Sequence, residues 1–135
     1  MSTRNHASVE IGEELPPLDV ETTATIVAGG AMASRDYTPV HHDRDAAVAQ
    51  GLPNIFMNIL TTKGFVGRYV TDWSGPDAIL KGVKIKLGGP NLPGHTLKIR
   101  GKVTGKTDDQ VEIEVSGNNP YGAHVNATVR VALPQ

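Results

Sequence analysis

Between Asn54 and Thr71 apolar side chains recur every three or four residues, at Ile55, Ile59, Thr62, Val66 and Val70, and Phe56, Leu60 and Tyr69 widen the stripe. Lys63 and Arg68 are the only charges in this run, so most of the circumference of the helix it predicts has to be covered. Asn54, just behind Pro53, is a good residue to cap it. After Thr71 the period changes to two. Val83, Ile85 and Leu87 alternate with Lys84 and Lys86; Leu97, Ile99 and Val103 alternate with Lys98, Arg100 and Lys102. Val111, Ile113 and Val115 alternate with Glu112 and Glu114, and a last run carries Val125, Ala127, Val129, Val131 and Leu133. These are four strands with one apolar face each. "GGPNLPG", "TGKTDDQ" and "GNNPYG" are turn chemistry between them, and such short turns join antiparallel neighbours. Ahead of the helix, residues 18–28 also alternate, which predicts a first strand closed by Gly29 and Gly30.

A sheet with one apolar face needs a cover, and this chain offers one long helix. The economical solution is an α+β hotdog fold, a five-stranded antiparallel sheet wrapped around one central helix. Gly64 and Gly67, each costing about 1 kcal/mol in a helix relative to Ala, then mark places where backbone or sheet comes close. At 135 residues the chain makes one domain, expected over 18–135, with residues 1–17 a flexible lead closed by Pro16 and Pro17. Thirteen basic residues against fourteen acidic ones give no electrostatic footprint for nucleic acid or a membrane surface. There is no cysteine, which excludes thiol catalysis and cysteine-ligated zinc. No run approaches the ~20 apolar residues of a membrane span, and the polar "MSTRNHASVEIGEELPP" has no signal-peptide core; a cytoplasmic protein is expected.

The stretch "SRDYTPVHHDRDAA", residues 34–47, places Asp36, His41, His42, Asp43 and Asp45 around Pro39. It reads in three ways. It could be an ordinary polar loop leading into a short helical turn, capped by Asp43 and stopped at Gly51. His41, His42, Asp43 and Asp45 could ligate a metal, although adjacent histidines diverge and no distant cluster completes a shell. Asp36 and His41, five positions apart across a stiffening proline, could aim at one water as an acid–base pair. His6, His95 and His124 are scattered and read as surface or turn residues, and Trp73 as packing at the helix end or lining a pocket. "GGPNLPG" has neither the Lys-Ser/Thr nor the strand–helix setting of a phosphate loop.

"DYTPVHHDRDAA" resembles the signature of the MaoC-like enoyl-CoA hydratases, with Asp36, Pro39 and His41 at the matching positions and Thr38 where the family often has Asn. Over longer runs, "DYTPVHHDRDAAVAQG", "NIFMNILTTKGFVGRYVTDWSGP" and "ILKGVKIKLG" are similar to the small MaoC-like subunit of actinobacterial steroid side-chain enoyl-CoA hydratases. The resemblance implies a hotdog fold from about residue 18 to the C-terminus and hydration of a 2-enoyl thioester with Asp36 and His41 as the catalytic pair. It places Phe56 and Met57 at the family's His-Gly pair, so that the Met57 amide would donate to the thioester oxygen. Pro39, Phe56 and Trp73 become candidates for contact with substrate. It implies no metal and no cofactor, since CoA is part of the substrate. It further implies a second MaoC-like chain that lacks the Asp and His, the two forming a double-hotdog unit and two units a heterotetramer, with a homodimer as the fallback. A hotdog acyl-CoA thioesterase and a noncatalytic hotdog subunit are the rival functions.

Overall fold

The computed structural model describes residues 2–135. In chain order the elements are β1 (Leu18–Glu21), α1 (Ala24–Ala33), α2 (Arg44–Ala49), α3 (Ile59–Ser74), β2 (Ile79–Leu87), β3 (Thr96–Lys106), β4 (Gln110–Asn119) and β5 (Gly122–Ala132). The strands form one antiparallel sheet in the order β1-β3-β4-β5-β2, curved around α3. Alternation decides which side faces in. Val111, Ile113, Val129 and Val131 are wholly buried beneath Val66 and Val70 of α3, each such side chain contributing about 1.5–3 kcal/mol of burial. On the outer face Lys102 stands opposite Glu114, and Glu112 opposite Arg130, so opposite charges meet across the strands. No helix among the described residues is long and apolar enough to cross a membrane.

Three expectations are corrected. The first strand stops at Glu21; the alternation of 22–28 loses to capping, because the Thr23 side chain accepts the Ile26 N–H at 3.1 Å and starts α1. The central helix starts at Ile59 with Asn58 as its cap, four residues past the expected cap at Asn54. Residues 54–57 are drawn out of the helix by neighbouring loops, the Phe56 N–H donating to the Val40 carbonyl and the Met57 N–H to that of Asn91. Residues 2–17 are no loose lead. Val9 and Leu15 belong to the core, Gly12 and Leu15 donate backbone hydrogen bonds to Val103 and Gly101 of β3, and Arg4 lies over the Trp73 ring at 4.9 Å.

The close approach expected at Gly64 and Gly67 lies elsewhere. A Cβ at Gly64 would meet nothing within 4 Å and one at Gly67 only a Leu80 methyl at 3.7 Å, whereas one at Gly30 of α1 would overlap the Thr61 side chain. The two glycines therefore predict opposite responses to the same change. Gly64→Ala should raise stability by about 0.5–1 kcal/mol through helix propensity. Gly30→Ala should lower it by about 1–3 kcal/mol despite the same propensity gain, because Thr61 cannot move aside without breaking its own bond to Asn58. Urea denaturation of both variants checks the pair; equal shifts would refute the packing of α1 on α3 described here.

Candidate active site

The acidic, histidine-rich stretch is a sharply folded loop between α1 and α2. It is set by a helix ending. The Asp36 N–H reaches back to the Ala31 carbonyl at 2.9 Å, which requires Arg35 to take a left-handed backbone, φ 59°. A side chain in that conformation is strained, and the strain sits immediately before Asp36. Asp36 then closes a turn of its own, Oδ1 accepting the Thr38 N–H at 3.2 Å. Pro39 opens a single 3-10 turn, Pro39–His41, its fixed φ suiting the first position. The turn carries His41 inward, where it is 8% exposed.

His41 is held by the residues before α3. Its Nδ1 lies 2.7 Å from the Phe56 carbonyl and its ring stands edge-on to the Phe56 ring, centroids 4.6 Å apart. A carbonyl only accepts, so Nδ1 carries the hydrogen and Nε2 presents a lone pair whenever the imidazole is neutral. That Nε2 lies 3.3 Å from Asp36 Oδ2. Asp36 is held below the usual carboxylate range by hydrogen bonds from Thr38 and then Asn58, with the neighbouring His41 adding to them. The arrangement is an ionised carboxylate in contact with an imidazole.

The structure thus brings Asp36 and His41 together and gives Pro39 and Phe56 roles in holding them. Two other candidates are corrected. The Met57 amide is already spent on the Asn91 carbonyl at 3.0 Å and is not free for a ligand. No acceptor among the described residues takes the next amide, that of Asn58, in a residue only 1% exposed. Trp73 lies at the far end of α3, roughly 22 Å of helix from Asn58, against Arg4. His42 and Asp43 turn to other work, His42 Nε2 meeting the Tyr37 carbonyl and Asp43 capping α2, and no three His, Asp or Glu side chains among the described residues converge as a metal shell would require.

Two buried polar residues escaped the sequence reading. His124, expected at the surface, is 2% exposed on β5, with Nδ1 2.7 Å from the Gly89 carbonyl and Nε2 2.9 Å from Thr62 Oγ1. Asn58 reads as one polar residue in an apolar run, yet its side chain touches Asp36. The only available signal was Asn ahead of "ILTT", a helix-capping pattern one step later than the one at Asn54.

The model of the MaoC like domain family matches residues 7–125. Over 123 residues the chain is 45% identical to the 3-oxo-4,17-pregnadiene-20-carboxyl-CoA hydratase beta subunit of Mycobacterium tuberculosis, covering 91% of this chain and 95% of that protein. A chain of the ChsH1-ChsH2 complex from Mycobacterium tuberculosis superposes with a TM-score of 0.90 at 44% identity, over 92% of this chain and 98% of that one. The R-hydratase PhaJ1 from Pseudomonas aeruginosa gives the same TM-score of 0.90 at 19% identity, over 98% of this chain and 87% of that one, a likeness of fold.

Burial lowers the basicity of His124, against a smaller opposite effect of the Gly89 carbonyl. Its folded pKa lies below the unfolded value of about 6.5, so the unfolded state binds more protons as pH drops below that value and stability falls. The wild type should therefore lose stability relative to His124→Gln as pH is lowered from about 7 to 5. Urea midpoints of the two proteins across that range measure it, and parallel curves would contradict a neutral, desolvated His124.

Proposed function

The chain belongs to the MaoC-like family, and from that premise we propose that it is the catalytic subunit of a steroid enoyl-CoA hydratase, adding water across the 2,3 double bond of a CoA thioester. One observation carries the reading: a carboxylate oxygen, Asp36 Oδ2, and an imidazole nitrogen, His41 Nε2, lie 3.3 Å apart beside the start of α3. A water molecule seated beside the pair can donate to either group, so one of its protons has a place to go.

Hydration then follows from the geometry. The water oxygen bonds to the β-carbon as one of its protons passes to the Asp36–His41 pair. The electrons of the double bond shift to the thioester, whose oxygen gains charge. The Asn58 amide, at the positive end of α3, donates to that oxygen. The proton held by the pair then passes to the α-carbon, and the pair returns to its starting state. The reaction consumes no cofactor, CoA entering as part of the substrate. Which group carries the proton in transit is a property of the coupled pair.

An apolar groove of about 380 Å³ between α1 and α3, lined by Gly30, Ala33, Leu60, Gly64 and Phe65, begins at Ser34, two residues from Asp36. It receives the acyl group. A steroid acyl group is supported by the 45% identity to the pregnadiene-carboxyl-CoA hydratase subunit. A second hotdog chain pairs along β2, which is an edge of the sheet and exposes Ile79 and Leu80; the similarity to a chain of a two-component complex supports this. The enzyme works in the cytoplasm, where CoA thioesters are made and consumed.

Asp36→Asn and His41→Ala should each cut hydration of a steroid enoyl-CoA at least a hundredfold in the co-expressed complex while the circular dichroism spectrum is retained, since positioned acid–base groups contribute ~10²–10⁴ in rate. The assay follows loss of the conjugated enoyl thioester absorbance and, in parallel, free thiol. Near-normal turnover in either variant, or thiol release in place of hydration, overturns the proposal. Native mass measurement of the chain with and without its partner should show a heteromer; a fully active lone monomer excludes one.

A further inference from the structure

Asn58 occupies a position that no acid–base argument singles out, yet every polar atom of its side chain is committed. Its Oδ1 accepts the Thr61 N–H at 3.0 Å and the Thr61 hydroxyl at 2.6 Å. A backbone N–H can only donate, which fixes the oxygen and leaves the amide nitrogen on the other side. There Nδ2 donates to Ser34 Oγ at 3.0 Å and to Asp36 Oδ2 at 3.1 Å. Ser34 is itself anchored, donating to the Gly30 carbonyl at 2.7 Å. The backbone N–H of the same residue is the unclaimed one at the start of α3.

We infer that Asn58 is a positioning residue for the hydration reaction, its side-chain amide aiming the Asp36 carboxylate at His41 and fixing that carboxylate relative to the helix-start amide. The inference rests on the hydratase reading and adds to it how the two halves of the site are kept in register. Asp36 Oδ2 has two neighbours, Asn58 Nδ2 at 3.1 Å and His41 Nε2 at 3.3 Å. Without Asn58 that oxygen keeps only His41, and the carboxylate turns about its remaining hold on Thr38. Within one residue Asn58 caps the central helix, orients the carboxylate and presents the backbone N–H, so a displacement of any one of these moves the other two. Small errors of this kind matter because productive geometry is confined to a fraction of an ångström.

The test separates capping from orientation. Asn58→Ser keeps a good capping oxygen and removes the donor to Asp36; Asn58→Asp keeps the cap and replaces that donor with a second carboxylate. Both are made in the co-expressed complex and compared with the wild type in thermal unfolding, in kcat and KM for a steroid enoyl-CoA, and in the titration of the Asp36 carboxyl carbon by NMR. His41 is the titratable group facing that carboxyl, and its ring is followed in the same spectra. Asn58→Ser should unfold within a few degrees of the wild type, lose at least tenfold in kcat with KM changed less than threefold, and titrate Asp36 at higher pH. Asn58→Asp should move Asp36 upward further and lose more activity. Unchanged kcat with an unmoved Asp36 titration in Asn58→Ser overturns the inference, and so does a loss of kcat that merely tracks loss of folding. A wild-type complex that does not hydrate the thioester defeats the hydratase reading instead, and the Asp36 titration still tests the positioning on its own.

Discussion

How the start of α3 is held decides everything the site can do. A helix buried by an apolar stripe can slide along its axis or roll at little cost, since dispersion and burial are nearly directionless. Hydrogen bonds are not. Thr62 is locked to His124 of β5, the Met57 N–H to the Asn91 carbonyl, and Asn91 in turn to Thr22, all in the interior, and to the half-buried Asn119. Losing one partner from such a buried network leaves a polar group unsatisfied at about 1–3 kcal/mol. The first turn of α3 is therefore pinned to β5, to the 88–95 segment and to the junction of β1 with α1, and the site inherits that fixity.

Asp36 and His41 meet at 3.3 Å, and each is held by different surroundings. Hydrogen bonds from Thr38 and Asn58 favour the charged form of Asp36, so it remains a carboxylate well below neutral pH. The Phe56 carbonyl fixes which nitrogen of His41 carries hydrogen. If His41 takes a second proton, Nε2–H can donate directly to Asp36 Oδ2, and the imidazole then has no lone pair left for water.

Much of the fold was legible because period is a cheap signal. The four later strands and the single apolar helix follow from spacing in residues 54–133, and the opposed charges of Lys102 and Glu114 mark neighbours in register. What failed was local competition. Thr23 caps a helix where alternation predicts a strand, because a side-chain oxygen on Ile26 N–H outweighs a weak Thr/Ala pattern. Val9 and Leu15 are isolated apolar residues in a polar stretch, and only the sheet edge they cover gives them meaning. In the site, the meeting of Asp36 with His41 was readable from spacing and resemblance, whereas the contacts of Asn58 and His124 were not. Their roles come from contacts across 22 and 62 positions of sequence, to Asp36 and to Thr62 respectively, and no local pattern encodes such distances.

The site shows why the one strained backbone in its loop is tolerated. Arg35 takes a left-handed conformation that costs a side-chain-bearing residue roughly 1–2 kcal/mol. In return the chain reverses at the end of α1, and the carbonyl of Ala31 is satisfied by the Asp36 N–H. A relaxed ending would carry the chain onward along the α1 axis, taking Asp36 away from the start of α3. The strain is offset by the hydrogen bonds that Asp36 then makes with Thr38 and Asn58. Strain before the carboxylate and capping after it are two ends of one arrangement: α1 has to stop abruptly so that α3 can begin against it.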